Sequence, residues 1–583
     1  MKPIPADGKS GMKKLYFKPP FPPRPAFTIG DGLILMGLAA ILYGGIRLAF
    51  DAPSEVTGPD ISLSPTALPW YALLSVGRMA IAYFLSLIFS LFYGHAAARN
   101  PNARKVLLPI LDVLQSVPIL SFLPVVLLSL SAILPEQLAT ELAAIVLIFT
   151  SQAWNITFSY YQSLTTIPSE LQEASDIFRF SSWMRFKELE LPFAAIGLIW
   201  NSMMSWSGGW FFLMAAEIFH VGSHDFRLPG LGSYLKTAAA QGDIVAVLAG
   251  TGTLILIIVL LDQFIWRPLL AWAEKFKIEM VEGGTEPTSW FLDLLYRSWL
   301  MDFFQRGMDP LNEWMDRIFH DKELTYPAPP ASGKNRRSRW VLGLMIIGLM
   351  AIVYGGFMSI AIMTTLSVDD WIEVGIGLLT TLARVFSSLV IAMMWTIPVG
   401  VAIGTNRRMA TLLQPLVQVV AAIPATALFP VLLLALLDVY GGLNIAAIAL
   451  MLMGTQWYLL FNVIAGAAAI PQDLRFTTDL LGLSVVDRWR NLIIPSIFPY
   501  IITGSITASC GAWNASVVAE YVEFGGNTYA TSGIGATIAR ATDSGNYALM
   551  LAATLVMVVS VILINQFFWQ RLYQLAEEKY RME

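Results

Sequence analysis

Charge is scarce in this 583-residue chain: 13% of its positions are Asp, Glu, Lys or Arg, about half the share usual in a soluble domain. Cysteine is nearly absent. Its one occurrence, Cys510, lies inside an apolar segment, so the sequence supports neither a disulfide framework nor a cysteine-based metal site. The four histidines fall in no HExxH-like spacing, and no metal site is expected. A Gly-xxxx-Gly-Lys-Ser/Thr phosphate loop is missing as well, so the chain is not expected to hydrolyse ATP alone. Net charge is −4, which offers no basic surface to nucleic acid.

Apolar sequence, by contrast, is abundant. Hydrophobic residues make up 56% of the chain, and its mean hydropathy is +0.62. Many runs exceed the roughly 18–20 residues that cross a hydrocarbon core. Six spans fit the first half, at about 31–50, 70–95, 107–132, 138–164, 193–217 and 244–266. Six fit the second, at about 340–363, 373–403, 411–437, 442–466, 496–520 and 546–569. The expected fold is an all-α polytopic membrane protein of about twelve transmembrane helices.

Residues 1–28 are Lys-rich and broken by the prolines of 19–25. The first apolar run is too long and too late for a signal-peptide core, so this start reads as a cytoplasmic tail. Positive residues set the orientation. Arg99, Arg104, Lys105, Arg179, Arg185, Lys187, Arg407, Arg408, Arg475, Arg488 and Arg490 all fall on one side, while the loop 51–66 holds Asp51, Glu55 and Asp60 with no Lys or Arg. Both termini are therefore placed in the cytoplasm. Residues 275–339 read as a cytoplasmic connector, ending in prolines and the basic run KNRRSR. Its stretch 288–319 has helical periodicity and many aromatics. Two readings stay open for it: a helix lying on the membrane, or packing against the bundle or a partner.

The two halves repeat one another. Arg78, Gly94, Pro109, Pro118 and Pro124 recur 306 residues later as Arg384, Gly400, Pro415, Pro424 and Pro430. After a three-residue deletion the offset is 303, and Trp154, Pro168, Pro192, Trp210, Glu217, Gly230, Gly232 and Trp266 recur as Trp457, Pro471, Pro495, Trp513, Glu520, Gly533, Gly535 and Trp569. The first spans share Tyr-Gly-Gly, at 43–45 and 354–356. Apolar coincidences are common in membrane proteins; matched Pro, Trp, Arg and Glu at fixed offsets are not. The units are 29–274 and 340–583. An even number of spans per unit makes the repeats parallel, related by a pseudo-two-fold axis along the membrane normal.

The loop between the fourth and fifth spans is long in both copies, 165–192 and 468–495. Pro168 suits a first helical turn, and Ser169 with Gln172 has capping-box spacing. A short amphipathic helix on the cytoplasmic surface is expected once per half. At these residues the chain resembles the integral-membrane subunits of bacterial ABC importers. Their loop signature runs Glu-Ala-Ala, three residues, Gly, nine residues, Ile-x-Leu-Pro. Copy one carries Glu173, Ala174, Leu189, Leu191 and Pro192, with Ser175 for the second Ala and Arg179 for Gly. Copy two keeps Gly482, Leu492, Ile494 and Pro495, with Leu483 after the Gly, but has Phe476, Thr477 and Thr478 for Glu-Ala-Ala. Within that superfamily it is similar to nitrate/sulfonate/taurine-type permeases, through Arg-x15-Gly-x14-Pro-x8-Pro-x5-Pro across spans two and three. The pairs Ala216–Glu217 and Ala519–Glu520, and the Gly-x-Gly turns at 230–232 and 533–535, add to the likeness.

The resemblance implies a type I ABC importer permease fold in duplicated form, in a bacterial plasma (inner) membrane. It implies two nucleotide-binding (ATPase) subunits, which bind ATP and Mg²⁺, docked on the loops. It also implies a periplasmic or lipid-anchored solute-binding protein on the outer face. The solute class is a small anion such as nitrate, a sulfonate like taurine, or bicarbonate. No cofactor is expected on this chain itself, and lipid surrounds it. Glu173 reads either as a cap or as an ATPase contact. Candidates for the substrate pathway are Arg78, Arg384, Gln115, Gln152, Glu217, Gln456 and Glu520. Each has a structural alternative: snorkelling for the arginines, pairing with them for the acids, interhelical hydrogen bonds for the amides. The competing function is an ATPase-independent secondary transporter or channel; a non-transporting scaffold leaves the matched Pro, Gly and charged residues without purpose.

Overall fold

The structure is a computed structural model and describes residues 29–49, 58–221, 224–276, 289–298, 310, 314, 339–436, 439, 441–524 and 527–580. Nearly all of it is helical. In the first half the helices are α1 (Ile29–Ala49), α2 (Leu68–Arg99), α3 (Pro101–Ser116), α4 (Leu123–Ile133), α5 (Glu136–Thr165), α6 (Ser169–Ile177), α7 (Leu191–Glu217), α8 (Leu231–Gln241) and α9 (Ile244–Leu261). The second half repeats them in order as α10 (Arg339–Met363), α11 (Val368–Thr405), α12 (Arg407–Ala422), α13 (Ala425–Leu436), α14 (Gly442–Ala468), α15 (Gln472–Leu480), α16 (Ile494–Ala519), α17 (Ile534–Asp543) and α18 (Tyr547–Ile564). A two-stranded hairpin joins the fifth span to the next helix in each half: His220–Val221 with His224–Asp225, and Tyr521–Phe524 with Asn527–Ala530. The repeat seen in the sequence is thus a repeat of elements.

Among the described residues, eight helices are long and apolar enough to cross a membrane, or nine if one bent pair counts as a span. The expected twelve are not all matched. The third span is not one helix: α3 and α4 meet at a bend of 86°. Pro118 sits at the bend and Pro124 at the start of α4, where a missing N–H and a fixed φ interrupt a continuous helix. In the second half Pro424 separates α12 from α13 in the same way. The apolar part of α1 is the shorter stretch Gly32–Leu48, and α7, with Asn201, Ser202, Ser205 and Ser207, is not among the eight.

Each half packs α2 on α5 and α5 on α7, or α11 on α14 and α14 on α16. Glycine sets the closeness. A Cβ on Gly94 would stand 2.7 Å from the Tyr160 ring, and one on Gly400 would stand 2.7 Å from Val463. The first helices of the halves, α1 and α10, pack on each other. The rings of Tyr43 and Tyr354 meet edge-on with centroids 6.5 Å apart, and the Ser359 hydroxyl donates to the Ala39 carbonyl at 2.9 Å. The shared Tyr-Gly-Gly therefore lies at a seam between the halves.

The tail 1–28 lies outside the described residues, as does most of the connector 275–339. Its described piece, the helix Trp290–Tyr296, packs on the bundle: the Phe291 ring meets Phe264 edge-on at 4.8 Å.

Candidate functional site

Two regions of each half concentrate polar chemistry. One is the elbow helix, α6 or α15, with the residues beneath it. The other is the Gly-x-Gly turn at the opposite end.

At the elbows, α6 and α15 occupy equivalent loop positions. The capping box read from Ser169 and Gln172 does not form. Pro168 takes the N-cap position and has no side-chain acceptor, so Ser169 already lies inside the helix. Gln172 instead donates to the Ile167 carbonyl at 2.9 Å. Both elbows end in a left-handed residue. Gly482 has φ 60°, and Arg179 at the equivalent position has φ 54°. The closing bonds match, Phe180 N–H to Ser175 O at 2.9 Å and Leu483 N–H to Thr478 O at 3.2 Å, which is the turn that favours glycine past a helix end. Copy one keeps this geometry without the glycine.

Glu173 is exposed and Ala174 half-buried on α6. Pro192 and Pro495 fall in the first turn of α7 and α16, each just after a π-helical turn, Phe186–Glu190 or Trp489–Ile493. The widened turn accommodates a residue that cannot donate to the preceding turn. The tips carry bare apolar side chains. Ile177 and Phe178 are 77% and 75% exposed, and their equivalents Leu480 and Leu481 are 88% and 68% exposed. Val485 and Val486 add to the second tip.

At the opposite end each half builds one buried cluster. Arg78 donates to Glu217 at 2.9 Å and to the Pro229 carbonyl at 2.9 Å. Ser75 donates to the same carboxylate at 2.6 Å, and Gly232 N–H donates to its other oxygen at 2.7 Å. The second half reproduces every bond. Arg384 donates to Glu520 at 2.7 Å and to the Ser532 carbonyl at 2.9 Å. Thr381 and Gly535 N–H donate to Glu520 at 2.7 and 2.9 Å. A Cβ on Gly230 or Gly533 would fall 2.3 or 2.1 Å from the carboxylate, so the Gly-x-Gly turn exists to admit it. One partner differs. Glu141 takes the rest of the Arg78 guanidinium, through two bonds of 2.7 Å. Its equivalent is Asn444, which accepts from Arg384 at 2.7 Å.

Two of the remaining pathway candidates, Gln456 and Gln152, make contacts inside their own half. Gln456 accepts from Trp395 at 3.1 Å. Gln152 is fully buried, with its amide nitrogen 3.8 Å from the Met79 sulfur. Gln115 is half-buried, one residue before the end of α3. Two cavities lie between the halves. One is lined by Trp206, Trp210 and Phe211 of α7 with Gln418, Tyr458 and Asn514 of the second half. The other is lined by Met214 and Lys236 with Thr426, Val517, Tyr521 and Asp543. None of the seven candidates lines either cavity; each Arg–Glu pair is satisfied within its own half, and Gly232, which donates to Glu217, lines the second cavity.

Sequence reasoning missed Asn514. Its side-chain oxygen crosses the seam and accepts the backbone N–H groups of Ile119 (2.5 Å) and Leu120 (3.4 Å) at the break in the third span. The repeat position in copy one is Phe211, so the only signal was a mismatch. It also missed Glu190, hidden as the variable residue of the Leu-x-Leu-Pro run, and Arg475. The Arg475 guanidinium caps the C-terminal carbonyls of α14 at Ala467 and of α11 at Thr405, and partial burial there pushes its pKa below the usual value.

Comparison with known proteins agrees with this duplication. The sequence matches the family described as the binding-protein-dependent transport system inner membrane component, over residues 82–265 and again over 396–574. The nitrate import permease protein NrtB of Synechocystis sp. is 30% identical over 207 residues, 35% of this chain and 72% of that protein. The bicarbonate transport system permease protein CmpB of Synechococcus elongatus is 31% identical over 147 residues, 25% of this chain and 51% of that protein. A putative ABC transporter permease protein of Methanocaldococcus jannaschii is 28% identical over 140 residues, 24% of this chain and 51% of that protein. With two copies of the domain in one almost entirely helical, multi-pass chain, this protein belongs to the family of binding-protein-dependent transport system inner membrane components, in a duplicated form that fits the type I ABC permease fold.

Proposed function

We propose that this chain is the fused membrane permease of an ATP-driven importer, moving a small anion across the bacterial inner membrane. Its units are 29–274 and 340–583, and its termini and elbow helices face the cytoplasm. The observation that carries this reading is the pair of exposed apolar tips, Ile177–Phe178 and Leu480–Leu481, on equivalent elbows. Large apolar side chains left bare at matched places mark a protein contact, and a two-fold partner fits a two-fold surface. Two ATPase subunits, which hold the ATP and Mg²⁺, dock there, one on each elbow. Glu173, Ala174, Arg179 and Pro192 shape the first contact; Gly482, Leu483 and Pro495 shape the second. A periplasmic or lipid-anchored binding protein delivers solute to the face bearing the Gly-x-Gly turns.

The names of the relatives, a nitrate permease and a bicarbonate permease, support an anion as cargo. The solute passes between the halves. The Arg78–Glu217 and Arg384–Glu520 clusters hold the walls of that route, and the amides of Gln115, Gln152 and Gln456 stiffen them. Coupling follows from differential affinity: ATPase closure favours one arrangement of the halves over the other.

The test is co-expression with candidate ATPase subunits, purification, and ATP-dependent uptake of labelled nitrate, bicarbonate or taurine into proteoliposomes. Retained ATPase that is lost when Phe178 and Leu481 are both changed to Asp is the expected result. Uptake that proceeds without any ATPase subunit would establish the secondary-transporter reading instead.

A further inference from the structure

The bases of the second and fifth spans are joined differently in the two halves. In the first half a buried carboxylate sits at the join. Glu190, 1% exposed, ends the π-helical turn below α7. One of its oxygens contacts the Arg99 guanidinium, and the other lies 3.2 Å from His95 Nδ1; both residues belong to the last turns of α2. Arg185 Nε stands 3.9 Å from the same carboxylate, and Arg185 Nη1 contacts Asp176 of α6 at 3.1 Å. The elbow helix, the base of span five and the end of span two are thus linked through one run of polar groups, in direct contact at Arg99 and across 3.9 Å at Arg185.

The second half keeps the ends of that chain in its sequence, Asp479 and Arg488, but not its centre. The positions of His95, Arg99 and Glu190 hold Val401, Thr405 and Ile493. Val401 and Ile493 belong to an apolar cluster with Val463, Ala467 and Ile497. There the elbow reaches span two through Arg475 on the Thr405 carbonyl. A charged pair in direct contact, as at Arg99 and Glu190, fixes the direction between its groups, whereas apolar packing fixes none.

We propose that Glu190 is a positioning residue that makes α6 and the end of α2 move as one body when an ATPase pulls on the elbow. It rests on the reading of the elbows as ATPase docking sites. Span two of the first half is driven through the Glu190 carboxylate; span two of the second half follows through one long hydrogen bond, Arg475 to the Thr405 carbonyl at 3.4 Å.

The test uses the full complex with its ATPase subunits, on a Cys510→Ala background. Spin labels go on cysteines replacing the exposed Glu170 of α6 and Asn102 just beyond α2, and the distance between them is read with and without ATP and vanadate. Native Glu190 is expected to keep the distance constant. Glu190→Gln is expected to let it change by several ångströms, and Glu190→Asp to restore constancy. The triple change His95→Val, Arg99→Thr, Glu190→Ile carries the residues that the second half accommodates, so it leaves no buried charge unpaired and decides the matter if Glu190→Gln fails to assemble. It is expected to behave as Glu190→Gln. A constant distance in these variants, or a changing one with native Glu190, overturns the proposal. A native chain that retains no ATPase overturns the docking reading as well, and this outcome is visible before any distance is read.

Discussion

At the Gly-x-Gly turns the two halves are near copies, bond for bond; at the elbows they have kept the shape and exchanged the chemistry. The turn clusters preserve an arginine, a glutamate, a hydroxyl donor, a carbonyl and a glycine N–H in the same roles. The elbows preserve a short helix and a left-handed exit but replace a carboxylate centre with an apolar one. Burial of charge alone does not separate the two regions, since Glu190 is as buried as Glu217 and Glu520. Removing one member of a buried pair strands the other, so such clusters change together or not at all. The turn clusters took the second course; below the elbows His95, Arg99 and Glu190 gave way as a set to Val401, Thr405 and Ile493.

The largest expected effect lies where the copies differ least. Glu520→Ala leaves Arg384 with only neutral partners, Asn444 and the Ser532 carbonyl, and about 3–5 kcal/mol of stability is expected to go. Glu217→Ala leaves Arg78 still paired with Glu141, so its cost is expected to be smaller. Thermal unfolding in detergent compares them; equal losses would remove the distinction drawn between Glu141 and Asn444. Next comes the seam. Asn514→Ala takes the acceptor from the Ile119 and Leu120 amides, at about 1–3 kcal/mol. Phe211→Leu, at the matching place, breaks no such bond and keeps an apolar side chain there, so the same assay separates the two.

At the tips the expected effects are milder. Ile177→Asp with Phe178→Asp strips the main exposed apolar surface of the first elbow, whereas Leu480→Asp with Leu481→Asp leaves Val485 and Val486 bare on the second. ATPase retention is expected to fall roughly ten-fold further for the first pair, about 1.4 kcal/mol; equal losses would argue that the elbows bind alike. The smallest effect concerns the left-handed exit. Arg179→Gly is expected to raise stability by about 1 kcal/mol and Gly482→Arg to lower it by a similar amount. No change in unfolding temperature for either variant would show that the strain is absorbed elsewhere.

Much of this was legible in the sequence because Pro, Gly, Arg and Glu mark backbone and charge requirements that apolar residues do not. Glu217, Gly230 and Gly232 kept their spacing in both copies, Arg78 recurs at the same place in its span, and the structure joins the four into one cluster. The bend in the third span was hidden, since hydropathy runs straight through Pro118 while the backbone does not. The capping box at Ser169 failed because Pro168 fits the N-cap geometry without supplying an acceptor. Glu190 and Asn514 were hidden for another reason: both depart from the repeat, and a search for matches passes over them.

The seam between α1 and α10 has a consequence for synthesis. Their contact joins residues roughly three hundred positions apart, and at about 5–20 residues per second the ribosome takes on the order of tens of seconds to produce the second helix after the first. Through that interval α1 sits in the membrane with its Tyr43 and Ala39 face unpartnered. Its packing on α4, where Ser129 donates to the Gly45 carbonyl, is available as soon as the first half is made, so α1 is placed in two stages and its outer face is closed only by the second half.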